Sequence, residues 1–246
     1  MRQALALSVF FIASTLGAGA TTAWAEERLV DLELSLAVDA SGSVDGPEFL
    51  LQLRGIAGAF RDPEIIAAIA NAPVGRIAVS LVMWADATLP NDQSRWFEVS
   101  DAASAEAFAR MVEQKTRRVS GGTGIGKALV GAIDAMGRNG FAGVRQVVDV
   151  SGDGEETPPR EAAPTIAEAK AFAQARGVTV NGLAILNDEP GLDAWYRRHV
   201  ITGPGAFVMV AANYQDFAEA MRRKLLREIQ TLPDVSQVPV RRIAQR

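Results

Sequence analysis

The sequence predicts a three-layer, doubly wound α/β domain around a mostly parallel sheet with one short antiparallel edge strand. Three observations predict it. Short apolar runs alternate along the chain with segments of helical period. The run IAVSLVMW at residues 77–84 is apolar on both faces, as a strand covered by helices on two sides must be. Neither an internal repeat nor a break in composition divides the chain, so the alternating elements belong to one sheet.

Residues 32–39, LELSLAVD, alternate Leu32, Leu34, Leu36 and Val38 with smaller or polar residues, which makes a strand closed by Asp39. After SGSVDG, Pro47 suits a first helical position, and Phe49, Leu50, Leu53, Ile56, Ala57 and Phe60 recur at helical spacing until Asp62-Pro63. EIIAAIA at 64–70 is a short helical stretch, leading through Asn71 and Pro73 to the strand at 77–84. RWFEV at 95–99 is the edge strand, 102–112 a helix and 117–126 a loop. A helix at 127–137 precedes the strand VRQVVDV at 144–150 and a loop, SGDGEETPPREAAP, with three prolines. Residues 165–176 are helical by period, with Gly177 placed to end the helix in the left-handed conformation. Strands at 178–186 and 206–210 flank a segment containing Trp195, Tyr196 and His199, to which the pattern assigns no element. The last helix starts near Asn213 and sets Phe217, Met221, Leu225 and Ile229 on one face.

The N-terminus reads as a targeting segment. Met1 and Arg2 precede an uncharged, mostly apolar stretch at 4–20, and Ala23-Trp24-Ala25 followed by Glu26-Glu27 is an A-x-A cleavage pattern. The expected organisation is a signal peptide at 1–25, one domain at 26–230 and a flexible tail at 231–246, giving a periplasmic or secreted protein without a stable membrane anchor after cleavage. A net charge of −4 and a pI near 5.2 leave no broad basic field for nucleic acid. The absence of cysteine excludes disulfides, thiol catalysis and Cys-zinc sites, and a single histidine, His199, excludes multi-His metal sites.

Ligands of an open parallel sheet bind beyond the carboxyl ends of its strands. Three loops there carry chemistry: Asp39-Ala40-Ser41-Gly42-Ser43, Gly121-Gly122-Thr123-Gly124 and Ser151-Gly152-Asp153-Gly154. Together they offer only oxygen donors, which suits a hard divalent cation such as Mg²⁺ or Mn²⁺.

With these residues in place, roughly residues 30–230 resemble the von Willebrand factor A domain, or integrin I-like domain, and its metal-ion-dependent adhesion site. The family's D-x-S-x-S after the first strand, its Thr in a Gly-rich loop and its Asp after a later buried strand fall on Asp39, Ser41, Ser43, Thr123 and Asp153. The resemblance implies that Ser41 and Ser43 ligate metal directly and that Thr123 does so in one state. It implies that Asp39 and Asp153 balance charge directly or through water, and that an Asp or Glu of a protein partner completes the shell. The implied function is metal-dependent recognition by an exported domain that is not an enzyme. The family often has Asp-Gly directly after the strand, whereas Gly152 precedes Asp153 here; Asp149 and Asp153 both remain open as the nearer carboxylate, with strand phase favouring a structural role for Asp149. VDVSGDG together with PGAFVMVAANYQDFAEAMRRKL is similar to a bacterial family of exported A-domain-like proteins, which implies no particular activity.

Competing readings rest on less. GGTGIGKA at 121–128 follows the phosphate-binding pattern G-x-x-x-x-G-K-[ST] until Ala128, which has no hydroxyl for Mg²⁺, and no buried strand precedes it. A metal-dependent hydrolase would draw its base from Glu155 or Glu156, since the chain has no G-x-S-x-G elbow and only His199 as an imidazole. A scaffold with a vestigial site is the third reading. Trp84, Trp195 and Tyr196 are either partner anchors or packed aromatics, and the arginines at 222, 223, 227, 241, 242 and 246 a solvated face and tail.

Overall fold

The computed structural model describes residues 27–158 and 163–231. The expected signal peptide, residues 232–246 of the expected tail and Arg241, Arg242 and Arg246 lie outside the described residues. Strands β1 (Arg28–Asp39), β2 (Ile77–Trp84), β3 (Asp92–Gln93), β4 (Phe97–Val99), β5 (Phe141–Gly152), β6 (Thr179–Ile185) and β7 (Val208–Ala211) form one sheet. Its order is β3-β2-β1-β5-β6-β7, with β4 also on β2. Helices α1 (Gly46–Arg61), α2 (Pro63–Ala70), α3 (Ala102–Glu113) and α7 (Phe217–Gln230) pack on one face; α4 (Ile125–Met136), α5 (Ile166–Arg176) and α6 (Leu192–His199) pack on the other.

All β1, β2, β5, β6 and β7 pairings are parallel. β3 and β4 both run antiparallel along the free edge of β2; β4 falls within the edge strand expected at 95–99, and β3 is a second, two-residue piece ahead of it. Between them the Ser94 hydroxyl accepts the Leu81 N–H at 2.9 Å, and Ser94 N–H donates to the Leu81 carbonyl at 2.8 Å. A side chain thus replaces one backbone acceptor, and the ladder is interrupted there.

Leu32, Leu34, Leu36 and Val38 enter the core beneath α1, α3 and α7, while Ala37 faces the α4–α6 layer, as period 2 requires. Every residue of β2 is buried. Phe217, Met221, Leu225 and Ile229 are all buried along one face of α7. Each such side chain contributes about 1.5–3 kcal/mol when taken fully from water.

The pattern missed α6 because only Leu192 and Tyr196 of LDAWYRRH are buried, which is too few to show a period. α7 begins later than Asn213 suggests, because the Asn213 side chain accepts the N–H groups of Gln215 and Asp216 in a preceding turn. Among the described residues no helix is long and apolar enough to cross a membrane.

Candidate metal centre

β1 and β5 are neighbours in register, with Val38 opposite Ser151, so both chains leave the sheet side by side at Asp39 and Gly152. The loop after β1 then folds back on its own aspartate: Ser41 N–H donates to Asp39 Oδ1 at 2.7 Å. The chain is returned to the core by α1, whose capping box pairs Asp45 with Glu48. Confined between these anchors, the hydroxyls of Ser41 and Ser43 lie 3.1 Å apart. Ser43 Oγ donates to Asp153 Oδ1 at 2.7 Å, and Tyr214 donates to Asp153 Oδ2 at 2.8 Å.

The fold therefore brings together Asp39, Ser41, Ser43 and Asp153 from two strand ends. Thr123 lies in the adjoining loop, whose Gly121 carbonyl accepts the Gly42 N–H at 2.7 Å. Thr123 N–H donates to Thr157 Oγ1 at 3.1 Å, and among the described residues no hydrogen bond joins its hydroxyl to the other four. Asp149 lies further back inside β5, in a 2.6 Å ion pair with Lys224 of α7, whereas Asp153 lies just past the strand end and is the carboxylate beside the serines.

Asp39, Ser41 and Asp153 are buried, whereas Ser43 is exposed and opens the cluster to solvent. Burial pushes the Asp39 carboxyl up to about 7, against the hydrogen bonds from Ser41 and with a further upward push from Asp153. Neither aspartate has an ion-pair partner among the described residues. Asp39 Oδ2 also lacks a hydrogen-bond partner there. Two adjacent buried carboxylates without a cation leave a charge deficit that a divalent ion bound by their oxygens and two hydroxyls would offset. Among the described residues no group of three or more His, Cys, Asp or Glu could hold a metal, so the donor set is hydroxyl-rich.

Gly152 has a steric reason to precede Asp153. A β-carbon there would lie 2.7 Å from the Tyr196 hydroxyl and 2.8 Å from Asp39 Oδ2. Gly152→Ala is therefore expected to cost about 1–3 kcal/mol through overpacking, read as a lowered denaturation midpoint.

Both tyrosines of the chain stand against this cluster, and neither emerged from the motif reading. Tyr214 in ANYQDF grips Asp153; Tyr196, on the helix that the pattern missed, is wholly buried. The i,i+4 pair Leu192 and Tyr196 was the available signal for the second. Trp84 is also wholly buried, so Trp84 and Tyr196 are packed aromatics rather than partner anchors. Trp195 is half-buried and packs beside exposed His199 with ring centroids 5.2 Å apart.

Of the two candidate hydrolytic bases, Glu156 is engaged away from the cluster. The Glu156 carboxylate accepts the Gly126 N–H at 3.2 Å at the start of α4, and burial pushes it up to about 7. That contact also occupies an amide where the glycine-rich stretch enters α4. Glu155 is exposed, and its N–H donates to Glu189 at 3.2 Å.

Residues 29–233 match the family described as "Protein of unknown function (DUF1194)". The chain belongs to that family. No curated protein matches it. Among solved structures it is similar to proximal thread matrix protein 1 from the mussel byssus with a zinc-occupied MIDAS motif, at 15% identity and a TM-score of 0.56 over 81% of this chain and 46% of that one. It is similar to the pilus adhesin SpaC from Lactobacillus rhamnosus GG, at 13% identity and a TM-score of 0.55 over 83% of this chain and 32% of that one. The von Willebrand factor domain of the type V pili tip protein Mfa5 from Porphyromonas gingivalis matches at 12% identity and a TM-score of 0.54, over 82% and 97%. The chain thus spans less than half of the byssus and SpaC chains. At these identities the likeness is one of fold, and the fold is that of the von Willebrand A domain.

Proposed function

We propose that this chain is an exported, non-enzymatic recognition domain that holds a divalent cation, Mg²⁺ or Mn²⁺, and captures an Asp or Glu of a protein partner. Residues 26–230 form the working unit once residues 1–25 are removed, in the periplasm or outside the cell. The observation that carries this reading is the pair of adjacent buried carboxylates, Asp39 and Asp153, which lack an ion-pair partner and meet two hydroxyls at a solvent-facing opening.

Asp39, Ser41, Ser43 and Asp153 would hold the ion, with Thr123 available from the adjoining loop. When bound, the ion supplies an electrophilic position for a partner carboxylate. The serines contribute neutral oxygens, so the set adds no charge beyond the two carboxylates that balance the ion, and Ser43 marks the open side where a further ligand can enter. Tyr214 orients Asp153 through its second oxygen, as outer-shell donors do in metal sites. The zinc-occupied MIDAS of the byssus protein, together with the pilus adhesin and the pili tip protein of the same fold, supports the reading.

Water-proton relaxation with Mn²⁺ tests it. Bound Mn²⁺ is expected to enhance relaxation, and acetate in large excess is expected to reduce that enhancement while acetamide at the same concentration leaves it unchanged. Equal responses to acetate and acetamide would contradict an open, carboxylate-accepting position.

A further inference from the structure

We propose that Arg117 is the positioning residue of the loop that carries Ser41 and Ser43. Arg117 stands on the segment leading into the glycine loop, and its guanidinium reaches across to the loop after β1. Its Nε and Nη2 donate to the Ala40 carbonyl at 3.1 and 2.8 Å. Nη2 also donates to the Ser41 carbonyl, Nη1 to the Val44 carbonyl at 2.7 Å, and Nε to the Val119 carbonyl at 3.4 Å. Three of these acceptors bracket both serines.

A guanidinium is planar, with its N–H groups in a fixed fork, so carbonyls 40, 41 and 44 are held relative to one another and not merely neutralised. The Lys ammonium has three rotatable donors and cannot impose that geometry. A few residues on, the Gly121 carbonyl takes the Gly42 N–H at 2.7 Å. One short stretch, 117–121, therefore holds the hydroxyl loop from both its carbonyl and its amide sides. Arg117 acts on a cation in two opposed ways: its charge repels the ion, and its fork fixes the ligands.

The positional claim can be tested in metal-free protein, whereas its consequence for affinity rests on the cation reading given above. In metal-free protein, hydrogen exchange at the Ser41 and Gly42 amides is expected to speed up about tenfold or more in Arg117→Lys, through local opening, while Leu34 and Leu36 amides in β1 keep wild-type rates. In calorimetry, Arg117→Lys and Arg117→Met are both expected to weaken Mn²⁺ by about 10–100-fold, the usual effect of losing an outer-shell partner. Unchanged exchange at Ser41 and Gly42 in Arg117→Lys overturns the proposal. Tighter Mn²⁺ binding in Arg117→Met with wild-type affinity in Arg117→Lys also overturns it, since charge alone would then explain the residue. A wild-type protein that takes up no Mn²⁺ defeats the cation reading, and the exchange result still decides the role of Arg117.

Discussion

Lys224→Ala is expected to destabilise the domain by about 3–5 kcal/mol, the usual cost of stranding a buried charge. Lys224 is wholly buried on α7, 2.6 Å from Asp149 Oδ1 on β5 and 2.7 Å from Glu228 Oε1 one helical turn away. Asn181 on β6 donates to the same Glu228 oxygen at 2.8 Å. One ammonium thus serves two carboxylates that are themselves 1% exposed, and its removal leaves both without a cation. Burial already pushes the Asp149 carboxyl upward against the pull of Lys224. Urea denaturation should show the lowered midpoint. Lys224→Met combined with Asp149→Asn and Glu228→Gln should recover most of the loss, because no charge is then left buried. A triple variant as unstable as Lys224→Ala would place the cost in packing of the Lys stem instead.

Asp39→Asn is expected to act in opposite directions on stability and on metal. Folding carries the Asp39 carboxyl from its ordinary 3.8 to about 7 in the metal-free protein. A raised carboxyl pKa means that the native state holds the proton more tightly than the unfolded chain. The penalty is absent below about pH 4, grows between pH 4 and 7, and is complete above 7. By linkage it amounts to about 4 kcal/mol at its fullest. Asparagine removes the charge and keeps an oxygen for the Ser41 N–H. Metal-free Asp39→Asn should therefore match wild type near pH 4 and exceed it in stability at pH 8, while divalent binding is lost. Metal-free wild type that is as stable as the variant at pH 8 would show that Asp39 is not strained by its burial. The same proton competes with any cation, so wild-type affinity should fall as pH drops below 7.

Legibility in the sequence followed the physics of each signal. The buried strand IAVSLVMW announced itself, since its hydropathy reports burial directly, whereas LELSLAVD showed only its apolar face, and the burial of Glu33 and Ser35 on the other is a tertiary fact. α6 did not announce itself, because two buried residues in eight make no period. At the site, Asp39, Ser41, Ser43 and Asp153 were legible because their spacing after two adjacent strands is a local property. Asp149 and Asp153, four apart, share one strand phase; what separates them is position, Asp149 lying inside β5 against Lys224 and Asp153 just beyond the strand end. Arg117, Tyr196 and Tyr214 were not legible, since each reaches the cluster from a distant segment and only the tertiary fold joins them. Gly152 was visible as a departure from the family pattern, yet its reason, the crowding by Tyr196 and Asp39, depends on α6.

The central claim is that Asp39, Ser41, Ser43 and Asp153 hold one divalent cation. Calorimetric titration of Mg²⁺ and Mn²⁺ into metal-stripped protein at pH 8, beside Asp39→Asn and Ser41→Ala/Ser43→Ala, tests it most directly. The expected result is saturable one-site binding in the wild type and none in either variant. Binding that survives in both variants, or a wild type with neither heat nor a thermal shift at saturating ion, would contradict it.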